Sequence, residues 1–157
     1  MTILVTGGAG YIGSHFVRLL ERKKIDFVIA DNFSTGHRKS VKNKKFFELD
    51  LRDAKEIRLN LQDLEITSIV HFAGLSIVSD SQKMEKEYFE NNVLASENLA
   101  KFAIEKKIRK FIYSSSAAVY GMPEEIPIRE DHPTRPINNY GKNKLEVENL
   151  LKDYSME

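Results

Sequence analysis

The sequence predicts an α/β fold built on a doubly wound parallel sheet, and three observations carry that reading. Short apolar runs such as Ile3-Leu4-Val5 alternate with longer amphipathic stretches, the pattern of strands joined by helical crossovers. The connections between them are short, as in compact α/β units. The first strand ends in a glycine-dense turn, Gly7-Gly8-Ala9-Gly10, that runs directly into a helix. A chain of 157 residues with 41% apolar content has room for one domain, over 1–157, with a substantial core.

The glycine turn is built for a diphosphate. Unpaired N–H groups at a helix start carry the positive end of the helix dipole, and an anion settles there if no side chain intervenes. Gly7 allows the sharp turn, Gly10 lets a pyrophosphate approach the backbone, and Gly13 lets the helix pack on the strand. The helix that follows places Ile12, Phe16, Leu19 and Leu20 on one side. The second strand, Phe27-Val28-Ile29-Ala30, ends at Asp31, about 20 residues past the glycines. A carboxylate there accepts the ribose hydroxyls of an adenosine and repels a 2′-phosphate, which favours NAD over NADP. The alternative for Asp31 is a local cap, since Asp31-Asn32-Phe33-Ser34 is also turn chemistry. The basic stretch from His37 to Lys45 reads as a solvated loop.

Lys45 to Leu49 makes the third strand, followed by Asp50-Leu51, an acid and an aliphatic suited to the adenine amino group and ring. Arg52 to Leu64 is an amphipathic helix. Ser68 to Phe72 is the fourth strand, closed by the small pair Ala73-Gly74, where a cofactor backbone can pass. A long helical region follows from Ser81 to Lys107. Asn91-Asn92 interrupts its apolar face, as either a surface detail or an internal hydrogen-bond donor near the cofactor. Lys110 to Tyr113, the fifth strand, runs into Ser114-Ser115-Ser116. Ligands of such sheets lie beyond the carboxyl ends of the strands, and the glycine turn, Asp31, Asp50, Gly74 and the serines all fall there.

A proline-rich loop from Gly121 to Pro136 has the composition of an active-site cover. The helix from Asn138 then carries Tyr140 and Lys144, four apart and so on one face. A free phenol titrates near pH 10; an adjacent ammonium and an oxidised nicotinamide would stabilise its phenolate for use as a base. Ser116 can hydrogen-bond the same substrate oxygen. The remaining composition narrows the classes. A net charge of +1 without a basic, aromatic-studded face argues against nucleic acid. The absence of cysteine excludes disulfides and thiolate metal sites. His15, His37, His71 and His132 have no ligand spacing, so no metal is expected. Without a signal pattern or a long apolar stretch, the chain reads as soluble and cytoplasmic, with no membrane contact.

Six collinear stretches carry a family resemblance: Thr6 to His15, Asp31 to His37, His71 to Leu75, Asn91 to Val93, Ser114 to Gly121, and Tyr140 to Glu146. From end to end the chain resembles the N-terminal part of the extended short-chain dehydrogenase/reductases, the NAD-dependent epimerase/dehydratases. Within them it is most similar to the nucleotide-sugar 4-epimerases. The resemblance implies a Rossmann-like, three-layer αβα fold that lacks the last strand or strands and the C-terminal substrate domain. It implies NAD held by Gly7, Gly10, Tyr11, Ile12, Gly13, Asp31, Asn32, Ser34, Asp50, Leu51, Phe72, Ala73, Gly74, Asn91 and Ser114, together with Tyr140 and Lys144. Ser116 and Tyr140 would meet a nucleotide sugar of the UDP-hexose type, with Tyr140, Lys144 and Ser116 catalytic for transient oxidation and re-reduction at carbon 4. The Ser81–Lys107 and Tyr140 helices would pair with their copies in a homodimer.

Three departures bear on this. Related 4,6-dehydratases carry an Asp-Glu pair where this chain has Ala117-Ala118, which removes the acid and base that dehydration needs. The epimerases have a phosphate-contacting lysine at the position of Ser76. The chain also stops at Glu157, ahead of the family's sixth strand and uridine diphosphate domain. The chain alone is therefore expected to hold the hydride-transfer residues without epimerase turnover. The alternatives are an NAD-binding polypeptide without chemistry, or another extended short-chain dehydrogenase/reductase acting on a different nucleotide sugar.

Overall fold

The computed structural model describes residues 2–155. It divides into two compact units, Met1–Gly74 with Asn98–Ser114, and Leu75–Glu97 with Ser115–Glu157. The first holds a wholly parallel sheet of β1 (Thr2–Thr6), β2 (Phe27–Asp31), β3 (Phe46–Glu48), β4 (Ile66–His71) and β5 (Lys110–Tyr113). The strand order is β3-β2-β1-β4-β5, which bears out the predicted Rossmann-like class. The chain moves outward from β1 to β3, then returns to the other side of β1, so the order reverses between β1 and β4. That reversal is where open α/β sheets bind ligands. In register, Thr6 stands between Ala30 and His71.

Two helices complete the crossovers before β4: α1 (Tyr11–Arg22) and α2 (Ala54–Leu61). The core of this unit packs Val5 and Ile29 of the sheet against Ala9, Val17, Leu20 and Val41. The buried face of α1 is Gly13, Val17 and Leu20, with Phe16 partly buried beside Phe72. Ile12 and Leu19 point outward, a correction to the face read from apolar spacing alone. Position 13 faces the backbone of the Gly7-Gly8 turn, where only a glycine fits, and this rotates Ile12 away. The helix expected from Arg52 begins only at Ala54, because Asp53 caps it by accepting from the Lys55 and Glu56 amides at 2.8 and 3.4 Å.

The second unit carries α3 (Val78–Ser81), α4 (Glu85–Phe89) and a π-helical stretch over Glu90–Leu94. The chain then enters α5 (Ala95–Glu105), most of which belongs to the first unit, and returns through a 3-10 turn at Ala117–Val119 to α6 (Asn139–Ser155). The single helix expected over Ser81–Lys107 is thus interrupted. Its π-helical stretch coincides with Asn92, whose side chain is buried and spent on Leu75; such wide turns recur at functional positions. Among the described residues no helix is long and apolar enough to cross a membrane.

Candidate functional site

The carboxyl ends of the strands in the first unit gather the first set of predicted residues. Gly7 donates to the Ala30 carbonyl at 2.9 Å, Phe72 to Thr6 at 3.0 Å, and Ser114 to His71 at 3.1 Å, so each strand tip is held by its neighbour. Gly7 has φ +68°, and a Cβ there would sit 2.5 Å from the Ala73 amide nitrogen. Gly10 is the N-cap of α1 and brings no side chain; the first turn holds no acid. Ser14 is the first helical amide to find an intrahelical carbonyl, that of Gly10 at 3.0 Å. The amides of Tyr11, Ile12 and Gly13 precede it, at the positive end of the dipole. A Cβ on Gly10 would meet only the Gly7 carbonyl oxygen, at 3.3 Å. This end of α1 therefore has donors, partial positive charge and room, which fits a pyrophosphate.

Asp31, at the tip of β2, is 9% exposed. Its Oδ2 accepts from the Ala9 amide at 2.9 Å and its Oδ1 from the Phe33 amide at 2.8 Å. The local cap foreseen as the alternative is thus present, and it ties the glycine turn to the second strand. Each carboxylate oxygen has a further acceptor site, so ribose hydroxyls fit the same group. Asn32 accepts from the Ser34 amide at 3.0 Å. Asp50 is gripped by Arg52, whose Nε lies 3.0 Å from both carboxylate oxygens. That guanidinium, foremost, holds the Asp50 carboxyl below its ordinary range, and the Asn32 side chain adds to it. Leu51 is buried beside it. In the basic stretch, Arg38 pairs with Glu48 and Lys44 with Glu21, the solvated-loop reading.

The second unit gathers the proposed reaction groups. Asn138 caps α6 by accepting from the Gly141 amide at 2.7 Å. Tyr140 and Lys144 then share a face, with the Lys144 Nζ 5.7 Å from the centre of the Tyr140 ring. Lys144 is 6% exposed, and burial pulls its ammonium down to about 8. Ser116 caps the 3-10 turn, its Oγ accepting from the Ala118 amide at 3.2 Å. That turn lies hard against α6, since a Cβ on Gly141 would sit 2.5 Å from the Ala118 carbonyl oxygen. The Ser115 hydroxyl donates to Glu148, one helical turn beyond Lys144. The proline-rich loop is largely exposed, with Met122 and Ile126 among its outward residues.

The asparagine pair, left open in the sequence, divides cleanly. Asn91 donates to the Glu87 carbonyl at 2.9 Å on the exposed side, whereas Asn92 is 2% exposed. Asn92 accepts from the Leu75 amide at 2.7 Å and donates to the Leu75 carbonyl at 3.0 Å. Tyr88, one turn earlier, accepts from the Ile77 amide at 3.1 Å and donates to the Ile77 carbonyl at 2.7 Å. Burial raises the Tyr88 phenol above its ordinary range, which keeps that donor protonated. Ser76, where the epimerases have lysine, is exposed between these two fixed residues. Sequence reasoning missed Tyr88, Ser81 and Glu148; the one available signal was the spacing of four between Tyr88 and Asn92. No group of three or more His, Asp or Glu residues able to hold a metal ion occurs among the described residues.

The family model described as the NAD dependent epimerase/dehydratase family matches residues 3–157. A UDP-glucose 4-epimerase of Halalkalibacterium halodurans is 41% identical over 151 residues, covering 96% of this chain and 45% of the relative. The crystal structure of a UDP-glucose 4-epimerase from Brucella ovis in complex with NAD is 36% identical at a TM-score of 0.95, covering 99% of this chain and 48% of that one. A UDP-glucose 4-epimerase from Bifidobacterium longum, solved with NAD+ and UDP, is 35% identical with a TM-score of 0.95, covering 99% of this chain and 49% of that one. The chain spans about half the length of the relatives it matches.

Proposed function

The chain belongs to the NAD dependent epimerase/dehydratase family, and on that premise we propose that it carries the cofactor site and proton-handling residues of a nucleotide-sugar 4-epimerase. The observation that carries this reading is Lys144, an ammonium almost fully buried one helical turn from Tyr140. Desolvation makes such a charge costly to keep, and perturbed groups of this kind cluster at functional sites.

NAD would be held by the amides of Tyr11, Ile12 and Gly13, by Asp31 at the ribose, by Asp50 and Leu51 at the adenine, and by the Phe72 to Gly74 tip. When bound, it supplies a reversible hydride acceptor. Tyr140 takes the proton from the sugar's 4-hydroxyl and returns it after the keto sugar has turned over. Ser116 hydrogen-bonds that oxygen throughout. Lys144 stabilises the Tyr140 phenolate that accepts this proton. The substrate class is a UDP-hexose, and Ala117-Ala118 offer no acid or base for dehydration. A chain without cysteine suits the reducing cytoplasm.

Calorimetric titration tests the cofactor half of this reading: NAD should bind at least about tenfold more tightly than NADP, because Asp31 would repel a 2′-phosphate. Absence of NAD binding by the folded chain would sink the reading. Tyr140→Phe should weaken NAD binding only modestly while abolishing any absorbance of reduced cofactor that the parent gives on addition of UDP-galactose. If that signal survives in the Phe variant, Tyr140 is not the base. The same reading pairs the Ser81–Lys107 and Tyr140 helices with their copies in a homodimer, and a monomer by light scattering at working concentration would exclude it.

A further inference from the structure

Tyr140 is the second residue of α6, in the turn where a helix is most prone to fray. A catalytic phenol placed there needs something to hold the first turn still. Asn138 satisfies the Gly141 amide from within the helix itself. The Tyr140 amide is satisfied from elsewhere, by the Ser81 hydroxyl at 3.2 Å, 59 residues away in the chain. Ser81 is fully buried. Its hydroxyl donates to the Val78 carbonyl at 2.6 Å, which orients the lone pair that Tyr140 uses. Its own carbonyl accepts from the Asn139 side chain at 3.2 Å.

Ser81 is in turn held by what precedes it. Residues Leu75 and Ile77 are each gripped at both amide and carbonyl, by Asn92 and Tyr88 respectively. Two side chains four apart on one helix thus stand in for the neighbouring strand that this segment lacks. Both side chains are 2% exposed, so their own polar groups would be left without water if these bonds broke. From the Asn92–Tyr88 clamp the chain has only one turn of α3 before it reaches Ser81.

We propose that Ser81, fixed by the Tyr88–Asn92 clamp on the preceding segment, is a positioning residue that sets the start of α6 and hence where the Tyr140 hydroxyl stands. This deepens the proposed function and rests on Tyr140 being the base. Ser81 reaches no reacting atom itself; it acts through the backbone of the residue that does. The clamp gives a reason for the otherwise unexplained pairing of a buried tyrosine and asparagine around the exposed Ser76.

The experiment uses the whole chain with labelled tyrosine, the Tyr140 ring resonances being identified by their loss in Tyr140→Phe. Ser81→Ala should move those resonances and speed hydrogen exchange of the Tyr140 amide by about tenfold, the scale of one lost hydrogen bond. Exchange in the last turns of α6 should stay unchanged. Tyr88→Phe keeps the ring and removes its hydroxyl, and should shift the same resonances in the same direction by less. It decides the matter alone if Ser81→Ala does not fold. Unmoved Tyr140 resonances in the folded variants, or loosening spread evenly along α6, would overturn the proposal. Because none of these readings needs cofactor, a failure to bind NAD would remove the proposed function and leave the positioning result standing.

Discussion

Gly13→Ala is expected to lower stability by about 3–5 kcal/mol, despite improving helix propensity by about 1 kcal/mol. The added Cβ would lie 2.2 Å from the Gly7 carbonyl oxygen and 2.9 Å from both the Gly7 carbonyl carbon and the Gly8 Cα. All three are backbone atoms of the turn, so no rotamer relieves the clash. The helix must retreat from the strand and take Val17 and Leu20 out of register with Val5 and Ile29. For a chain of this size the loss corresponds to a Tm drop on the order of 10 °C. Gly10→Ala provides the contrast. Its Cβ meets one oxygen at 3.3 Å and its φ of −73° suits any residue. It should cost less than about 1 kcal/mol while weakening NAD affinity, because the methyl enters the space the pyrophosphate needs. Thermal melts of the two variants beside NAD titrations separate a glycine needed for packing from one needed for a ligand. Equal melting temperatures for Gly13→Ala and the parent would refute the packing account.

Lys144→Met should act in the opposite direction in one respect: its stability relative to the parent should be higher at pH 7 than at pH 10, by about 1–3 kcal/mol. Burial pulls the Lys144 ammonium from 10.5 to about 8, so at neutral pH the folded chain keeps a proton that desolvation disfavours. Between pH 8 and 10.5 the unfolded chain still binds that proton while the folded chain has released it. Stability from this group therefore rises with pH across the window. The relative stability of the methionine variant should be highest below pH 8 and fall towards pH 10.5. Melting the two proteins side by side at pH 7 and pH 10 cancels the other titrating groups. Relative to the parent, the variant should melt a few degrees higher at pH 7 than at pH 10. A difference unchanged between the two pH values would mean that the buried ammonium is fully compensated in the fold. The same substitution should remove any turnover, since the charge that supports the Tyr140 oxygen goes with it. A charge costly to desolvate, whose removal abolishes chemistry, is the signature of a residue kept for function.

Gly13 was readable in the sequence because its role is local: the glycine spacing, the strand before it and the helix after it lie within fifteen residues. The strand tips at Asp31, Gly74 and Ser114 were legible for the same reason, since each closes a short apolar run. So was the Tyr140–Lys144 pairing, which follows from helical spacing alone.

What the sequence by itself determined was the parallel α/β class, the anion-ready turn of β1 and α1, and the phenol and ammonium on one helix face. Tertiary structure alone decided that Asn92 rather than Asn91 turns inward, that Ile12 faces out, that Asp31 already braces the Ala9 amide, and that Lys144 is buried. It also supplied the partners that steady α6, Ser81 at a separation of 59 residues and the Ser115–Glu148 pair at 33. The physical reason is range. Periodicity and turn chemistry encode what neighbours along the chain must do, whereas desolvation and hydrogen bonds between distant segments exist only once the chain has closed on itself.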